Sequence, residues 1–168
     1  CIAEAGRLLE RPYRFCGTVV RGRRLGRTLG WPTANLEVDG RKFLPQEGVY
    51  AALAWAHGSG PMAAVMNLGP QPTVDPLAPS AVEVHLLDRQ IELEGRELEV
   101  QPLALLRCQE RFESLDALKA QIGRDAEQAR ALITDRVLAA ALASSAGGIG
   151  VREAPADEGG NATQQQNP

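Results

Sequence analysis

The densest concentration of chemistry-bearing residues is GTVVRGRRLGRTLGWPTANL, residues 17–36. Gly22, Gly26 and Gly30 recur every fourth residue among arginines, so backbone N–H groups can approach phosphate oxygens closely while the guanidinium groups supply positive field. The segment lacks the GK[ST] ending of a Walker loop and the GxGxxG spacing of a dinucleotide fold, and its glycines alone favour an ordinary hairpin loop. The continuation Pro32-Thr33-Ala34-Asn35 is more informative. Pro32 fixes its own φ and keeps Trp31 extended, and Thr33 and Asn35, two apart, share one face of a strand. A hydroxyl and an amide oxygen on one face are hard ligands, suited to a Mg²⁺ that keeps waters and phosphate oxygens as its other ligands. A turn leading into a β-edge with outward polar side chains accounts for the pair equally well.

The second candidate is Glu83 in SAVEVHLLD. Val82, Val84 and Leu86 take one face of a strand, Glu83 and His85 the other. A carboxylate there can accept a proton from an attacking alcohol, although periodicity alone describes only a solvated, outward Glu. His85 is expected to pack or bond locally rather than to catalyse, and His57, in the AHGSGP turn, to lie at the surface. With only two histidines and neither Ser-His-Asp nor HExxH spacing, hydrolase triads and zinc peptidase sites have no support.

Charge is unevenly distributed. Six arginines (Arg11, Arg14, Arg21, Arg23, Arg24, Arg27) fall between positions 11 and 27 without an intervening Asp or Glu, a candidate local anion site, although any one of them would serve equally on a solvated surface. The total, −3 with a pI near 5.5, argues against a general nucleic-acid binder. Cys1, Cys16 and Cys108 are odd in number with no close pair, so neither a disulfide framework nor a thiolate zinc site is expected. No stretch approaches the roughly 20 apolar residues of a membrane helix, and the N-terminal CIAEAGRLLERPYR is not of signal-peptide type. The expectation is a cytoplasmic protein with no membrane or nucleic-acid partner, and, since its first residue is Cys, a segment of a longer product.

The elements that must position these residues are mostly strands. Phe15–Val20, Gly48–Ala56, Met62–Asn67, Ala81–Leu87 and Glu97–Leu106 are short apolar or alternating runs bounded by Gly, Pro or Asp, with no helical stretches between them. Closure into a small antiparallel Greek-key barrel is the economical way to remove sheet edges. After Phe112 the period changes: Leu115, Leu118, Ile122, Ala126, Ala129, Ile133 and Val137 form one helical stripe, with Ser114 as N-cap, Asp116 in the first turn and a break expected near Gly123. From Ser144 on, the chain is small, polar and Gly-rich and is expected to be a disordered tail. One domain of residues 1–143 and a tail of 144–168 result; the 44% hydrophobic share of 168 residues suffices for one core without disulfides.

In this order, FCGTVVRGRRLGRTLGWPTAN (15–35), Gly48-Val49-Tyr50, NLGPQPTV from Asn67, VEVHLLD from Val82 and LLRCQERFESLDALKAQIGRD (105–125) resemble the riboflavin kinases, and most of all the C-terminal kinase module of the bacterial bifunctional riboflavin kinase/FAD synthetases, over about residues 5–135. The resemblance implies a closed six-stranded barrel and the reaction of ATP with riboflavin to give FMN and ADP. It implies that Gly22 to Gly30, with Arg27, form the phosphate loop, that Gly22, Gly30, Pro32, Thr33 and Asn35 bind nucleotide, and that Thr33 and Asn35 hold Mg²⁺. Glu83 would be the base on the ribityl 5′-hydroxyl, with Arg107 and the following CQERF segment, Phe112 included, on the flavin side. The chain departs from the family where Leu93-Glu94-Gly95 replaces the usual Leu-Tyr-Gly. It also lacks the nucleotide motifs of the adenylyltransferase domain, to which the full-length product would be fused. The alternatives are a non-catalytic flavin- or nucleotide-binding barrel, which would not need Glu83, and an oligonucleotide-binding barrel. The latter would need aromatic residues to stack bases, against an aromatic share of 4%.

Overall fold

The nine-residue run Gly48–Ala56 has no polar side to turn to water, and both of its faces are covered. Tyr50, Ala52, Ala54 and Ala56 point into a closed barrel, while Ala51, Leu53 and Trp55 point outward against C-terminal helices. The computed structural model describes residues 2–22, 30–69, 81–89 and 91–146. Within them a short helix, α1 (Ile2–Leu8), precedes six strands: β1 (Phe15–Val20), β2 (Ala34–Glu37), β3 (Gly48–Ala56), β4 (Met62–Gly69), β5 (Ala81–Leu86) and β6 (Glu97–Arg107). Two helices follow, α2 (Leu115–Leu132) and α3 (Asp135–Ala146).

The strands close in the order β1-β2-β5-β4-β3-β6, all neighbours antiparallel. β3, β4 and β5 form a meander and β6 returns beside β3, which is the Greek-key arrangement expected of this chain. β2 skips β3 to pair with β5, so residues 38–47 must cross one mouth of the barrel, past the ends of β5 and β4, to reach β3. Two tyrosines pin that crossing: the Tyr50 hydroxyl donates to the Gln46 carbonyl at 2.6 Å, and the Tyr13 hydroxyl donates to the Phe43 carbonyl. The interior is filled from every strand, by Phe15, Leu36, Tyr50, Met66, Val84 and Leu98 among others. Fully burying each large apolar side chain contributes about 1.5–3 kcal/mol.

The helical region differs from its sequence pattern in three ways. Ser114 caps α2, accepting from the Ala117 N–H at 3.1 Å, but α2 then runs unbroken through Gly123. The helix stops at Leu132, where the Ile133 N–H still reaches the Ala129 carbonyl, and α3 begins at Asp135. Second, Leu115 is not in the buried stripe and is 59% exposed. Small residues face the barrel instead: Ala126 and Ala129 are completely buried, which lets α2 lie close on β3 and β4. Third, α3 continues past position 143 to Ala146, while residues 147–168 of the expected tail lie outside the described residues. No described helix is long and apolar enough to cross a membrane.

Candidate active site

Strand alternation sets which residues leave the barrel wall near one rim. Inward Leu36, Met66, Leu68, Val82 and Val84 force Asn35, Asn67, Glu83 and His85 onto the outer face. The register then aligns them. Asn35 is the direct partner of Glu83 across β2/β5, and Glu83 is the direct partner of Asn67 across β5/β4. Directly opposed residues have Cβ atoms about 4.5–5.5 Å apart, so the Glu83 carboxylate stands between two carboxamides. The row continues through Val49 of β3 to Arg107 at the end of β6.

The segment entering β2 is fixed from outside the barrel. His85 lies 2.7 Å through Nδ1 from the Pro32 carbonyl, and its ring meets Trp31 edge-on with centroids 5.1 Å apart. His85 therefore bonds locally, as its position implied, and exposed His57 stays at the surface. Pro32, Thr33 and Asn35 line a cavity of about 450 Å³ together with Gly22, Gly30, Arg21 and Arg89. Gly22 is needed there for space: a Cβ on it would come 1.9 Å from the Asn35 amide nitrogen. Gly30 turns the chain into this segment at φ 83°, a left-handed conformation that glycine adopts without steric cost. Asn35 also borders a second cavity, of about 620 Å³, beneath residues 38–45.

The arginine cluster does not act as one unit. Arg21 lines the cavity, but Arg14, at the opposite end of β1, turns away. Its guanidinium lies 4.1 Å over the Trp55 ring and bonds Gln101 at 2.9 Å and Glu99 at 3.4 Å. Arg23, Arg24 and Arg27 lie outside the described residues. The LEG turn keeps its glycine geometry, with Gly95 at φ 78°. Leu93 is buried in the barrel, and Glu94 faces the cavity.

On the other side of Glu83, Arg107 makes a two-point ion pair with Asp125 of α2 and lies 5.5 Å from the centroid of the Phe112 ring. Gln109 donates to Asn67 Oδ1 at 2.7 Å and to the Leu68 carbonyl at 2.8 Å. The structure thus brings Asn35 and Glu83 together across β2/β5 and puts Thr33 with Asn35 on the cavity wall, which Glu83 does not line, with Arg107 and Phe112 at the far end of the row. Sequence reasoning gave no role to Asn67 or Asp125, and reached Gln109 only as part of the CQERF segment on the flavin side. Asp125 carried a readable signal, a charge between Ile122 and Ala126 in an otherwise apolar helical stripe. Asn67, and the bond that Gln109 makes to it, carried none that is local.

Against this geometry, the chain matches the Flavokinase family model, riboflavin kinase, over residues 9–133. The chain belongs to the riboflavin kinase family. It is 44% identical over 129 residues to the bifunctional riboflavin kinase/FMN adenylyltransferase of Escherichia coli (strain K12), covering 77% of this chain and 41% of that protein. It therefore spans about two fifths of the length of the curated relatives it matches. Among solved structures it is similar to a Streptococcus pneumoniae chain described as a macrolide-efflux protein, with a TM-score of 0.68 and 33% identity over 75% of this chain and 41% of that one. It shares the fold of riboflavin kinase from Trypanosoma brucei, with a TM-score of 0.58 and 21% identity over 86% of this chain and 94% of that one. The closed six-stranded barrel with C-terminal helices is thus the fold of riboflavin kinases.

Proposed function

We propose that the row Asn35–Glu83–Asn67 and the cavity beside it carry out the riboflavin kinase reaction of this family, transfer of the ATP γ-phosphoryl group to the riboflavin 5′-hydroxyl. The observation that carries this reading is the register that puts Glu83, on the outer wall, next to the Asn35 that borders the cavity. In it, ATP phosphates enter the cavity along Gly22 and Gly30, where backbone N–H groups and Arg21 supply the positive field. The flavin occupies the opposite flank, toward Arg107 and Phe112. Glu83 holds the hydroxyl in line with the phosphorus. The transition state is loose and needs little early proton abstraction, so orientation is its main contribution, and the proton passes to the carboxylate as the O–P bond forms.

The donor set suits a Mg²⁺ that arrives with the nucleotide. Thr33 and Asn35 offer two neutral hard oxygens at the cavity, and among the described residues no cluster of three His, Cys, Asp or Glu side chains could hold an ion. Such an ion would screen the phosphate charge. Thr33 and Asn35 would orient the phosphates, and Gly22 would keep the room that Asn35 needs. Were the chain fused to an FMN adenylyltransferase domain, as the bifunctional relatives are, the FMN made here would be that domain's substrate. Residues 1–168, incubated with riboflavin and Mg-ATP and analysed by chromatography, should yield FMN. The reading fails if none forms, or if Glu83→Gln forms it at the unaltered rate.

A further inference from the structure

Asp125 lies midway along α2, beside the barrel-facing Ala126, with its side chain 3% exposed. A carboxylate placed there loses its hydration, and four hydrogen bonds replace it. Arg107 Nε donates to Oδ1 at 3.1 Å and Oδ2 at 3.0 Å, Arg107 Nη2 donates to Oδ2 at 2.9 Å, and Gln121 Nε2 donates to Oδ1 at 2.8 Å. For holding α2 on the barrel, such a pair has no advantage, because well-packed apolar residues of similar volume stabilise as well or better. What a guanidinium fork on a carboxylate adds is direction.

That direction is set where it bears on the site. Arg107 is the last residue of β6 and ends the row that contains Glu83. Beyond it the chain leaves the sheet, and two residues later Gln109 is tied to Asn67 and Leu68. Gln109 fits so closely that a Cβ on Gly69 would meet its Nε2 at 2.4 Å. Gly48 is under a similar constraint, since a Cβ there would lie 2.8 Å from the Arg107 carbonyl oxygen. The stretch from Arg107 to Phe112 is therefore clamped to α2 at its start and to β4 at Asn67, the register neighbour of Glu83.

We propose that Asp125 is a positioning residue for the flavin half of the site: through Arg107 it fixes the 107–112 segment against Asn67, and so the wall against which the flavin is held beside Glu83. This rests on the reading of the Glu83 row as the reaction site. Two variants test it. Asp125→Asn keeps the shape and the Gln121 partner but removes the charge, and Arg107→Lys keeps the charge but removes the fork. Each should weaken riboflavin binding, read from flavin fluorescence without turnover, by about 10-fold or more, as expected when a reacting partner is misplaced, while the KM for Mg-ATP changes less than about 2-fold. The double variant should be no weaker than the worse single one, since both act on one contact. An ion pair that only supports the fold would lower Tm and leave riboflavin affinity unchanged, or weaken both substrates equally, and either result overturns the proposal. Should Asp125→Asn fail to fold, Arg107→Lys decides alone: riboflavin affinity within about 2-fold of the unaltered protein overturns it. Turnover of Glu83→Gln, measured in parallel, reports on the site reading separately.

Discussion

Asn35 fills the space that any side chain at position 22 would need: its amide nitrogen lies 1.9 Å from where a Gly22 Cβ would stand. The glycine that looks from sequence like one of a phosphate-loop series is required at this position by the side chain of the neighbouring strand. Gly22→Ala should push Asn35 aside without disturbing the barrel, because the obstructing atoms are the free end of a side chain. We expect it to raise the KM for Mg-ATP about as much as Asn35→Ala does, with Tm nearly unchanged, within about 0.5 kcal/mol of stability. Unaltered Mg-ATP kinetics in Gly22→Ala would show that the position of Asn35 does not matter.

Glu83→Gln conserves size and removes the charge. Misplacing the attacking hydroxyl costs about 100-fold in rate and loss of the proton acceptor up to about 10,000-fold, so kcat should fall within that range while binding of both substrates persists. The strand keeps its ladder, and Val82 and Val84 still pack inward, so thermal unfolding should hardly move. A loss of Tm in step with the loss of rate would mean that the carboxylate supports the fold instead.

Much of the barrel was legible because its strands are short runs bounded by Gly, Pro or Asp, alternating as in Phe15–Val20 or continuously apolar as in Gly48–Ala56. β2 was harder, because in the four residues Ala34–Glu37 only Leu36 is fully buried. The juxtaposition of Asn35 with Glu83 depends on β2 pairing with β5 rather than with its chain neighbour β3, and that pairing is set by closure of the whole sheet. No local pattern encodes it. The break expected at Gly123 is absent for a related reason: a mid-helix glycine costs about 1 kcal/mol, which packing of the Ala126 and Ala129 face against β3 and β4 outweighs. Asp125 shows the reverse case, a departure from the apolar stripe visible in the sequence whose partner, Arg107, only the fold supplies.

Burial, aided by the neighbouring Glu97 and Glu99 carboxylates, pushes the Cys16 thiol up to about 11. Unfolded, the same thiol titrates near 8.5. Its contribution to stability is therefore fully present below about pH 8.5 and is lost as pH rises toward 11, because in that window the unfolded chain releases a proton that the folded one keeps. In a Cys1→Ser background at pH 8, a thiol reagent should label exposed Cys108 quickly and Cys16 slowly. Cys16→Ser should flatten the alkaline fall of stability above pH 8.5. Equal labelling rates for the two cysteines would contradict this.

Thr33→Val tests whether the metal is held jointly by protein and nucleotide. The substitution keeps the branched shape and removes one hard oxygen from the cavity wall. Two expectations follow from a donor set of neutral oxygens with no carboxylate cluster among the described residues. First, the ion depends on nucleotide phosphate for most of its ligands, so chelation with EDTA should abolish turnover yet leave the Tm of the free protein where it was; a resident structural ion would instead take stability away with it. Second, Thr33→Val should need a higher Mg²⁺ concentration for half-maximal rate and show a raised KM for Mg-ATP, while riboflavin affinity, read by fluorescence, stays the same. Loss of the hydroxyl leaves Asn35 in place between Gly22 and Glu83, so part of the rate should return as Mg²⁺ is raised. If Thr33→Val weakens riboflavin and Mg-ATP alike, the defect lies in the turn held by Pro32 and His85, and the hydroxyl has no metal role.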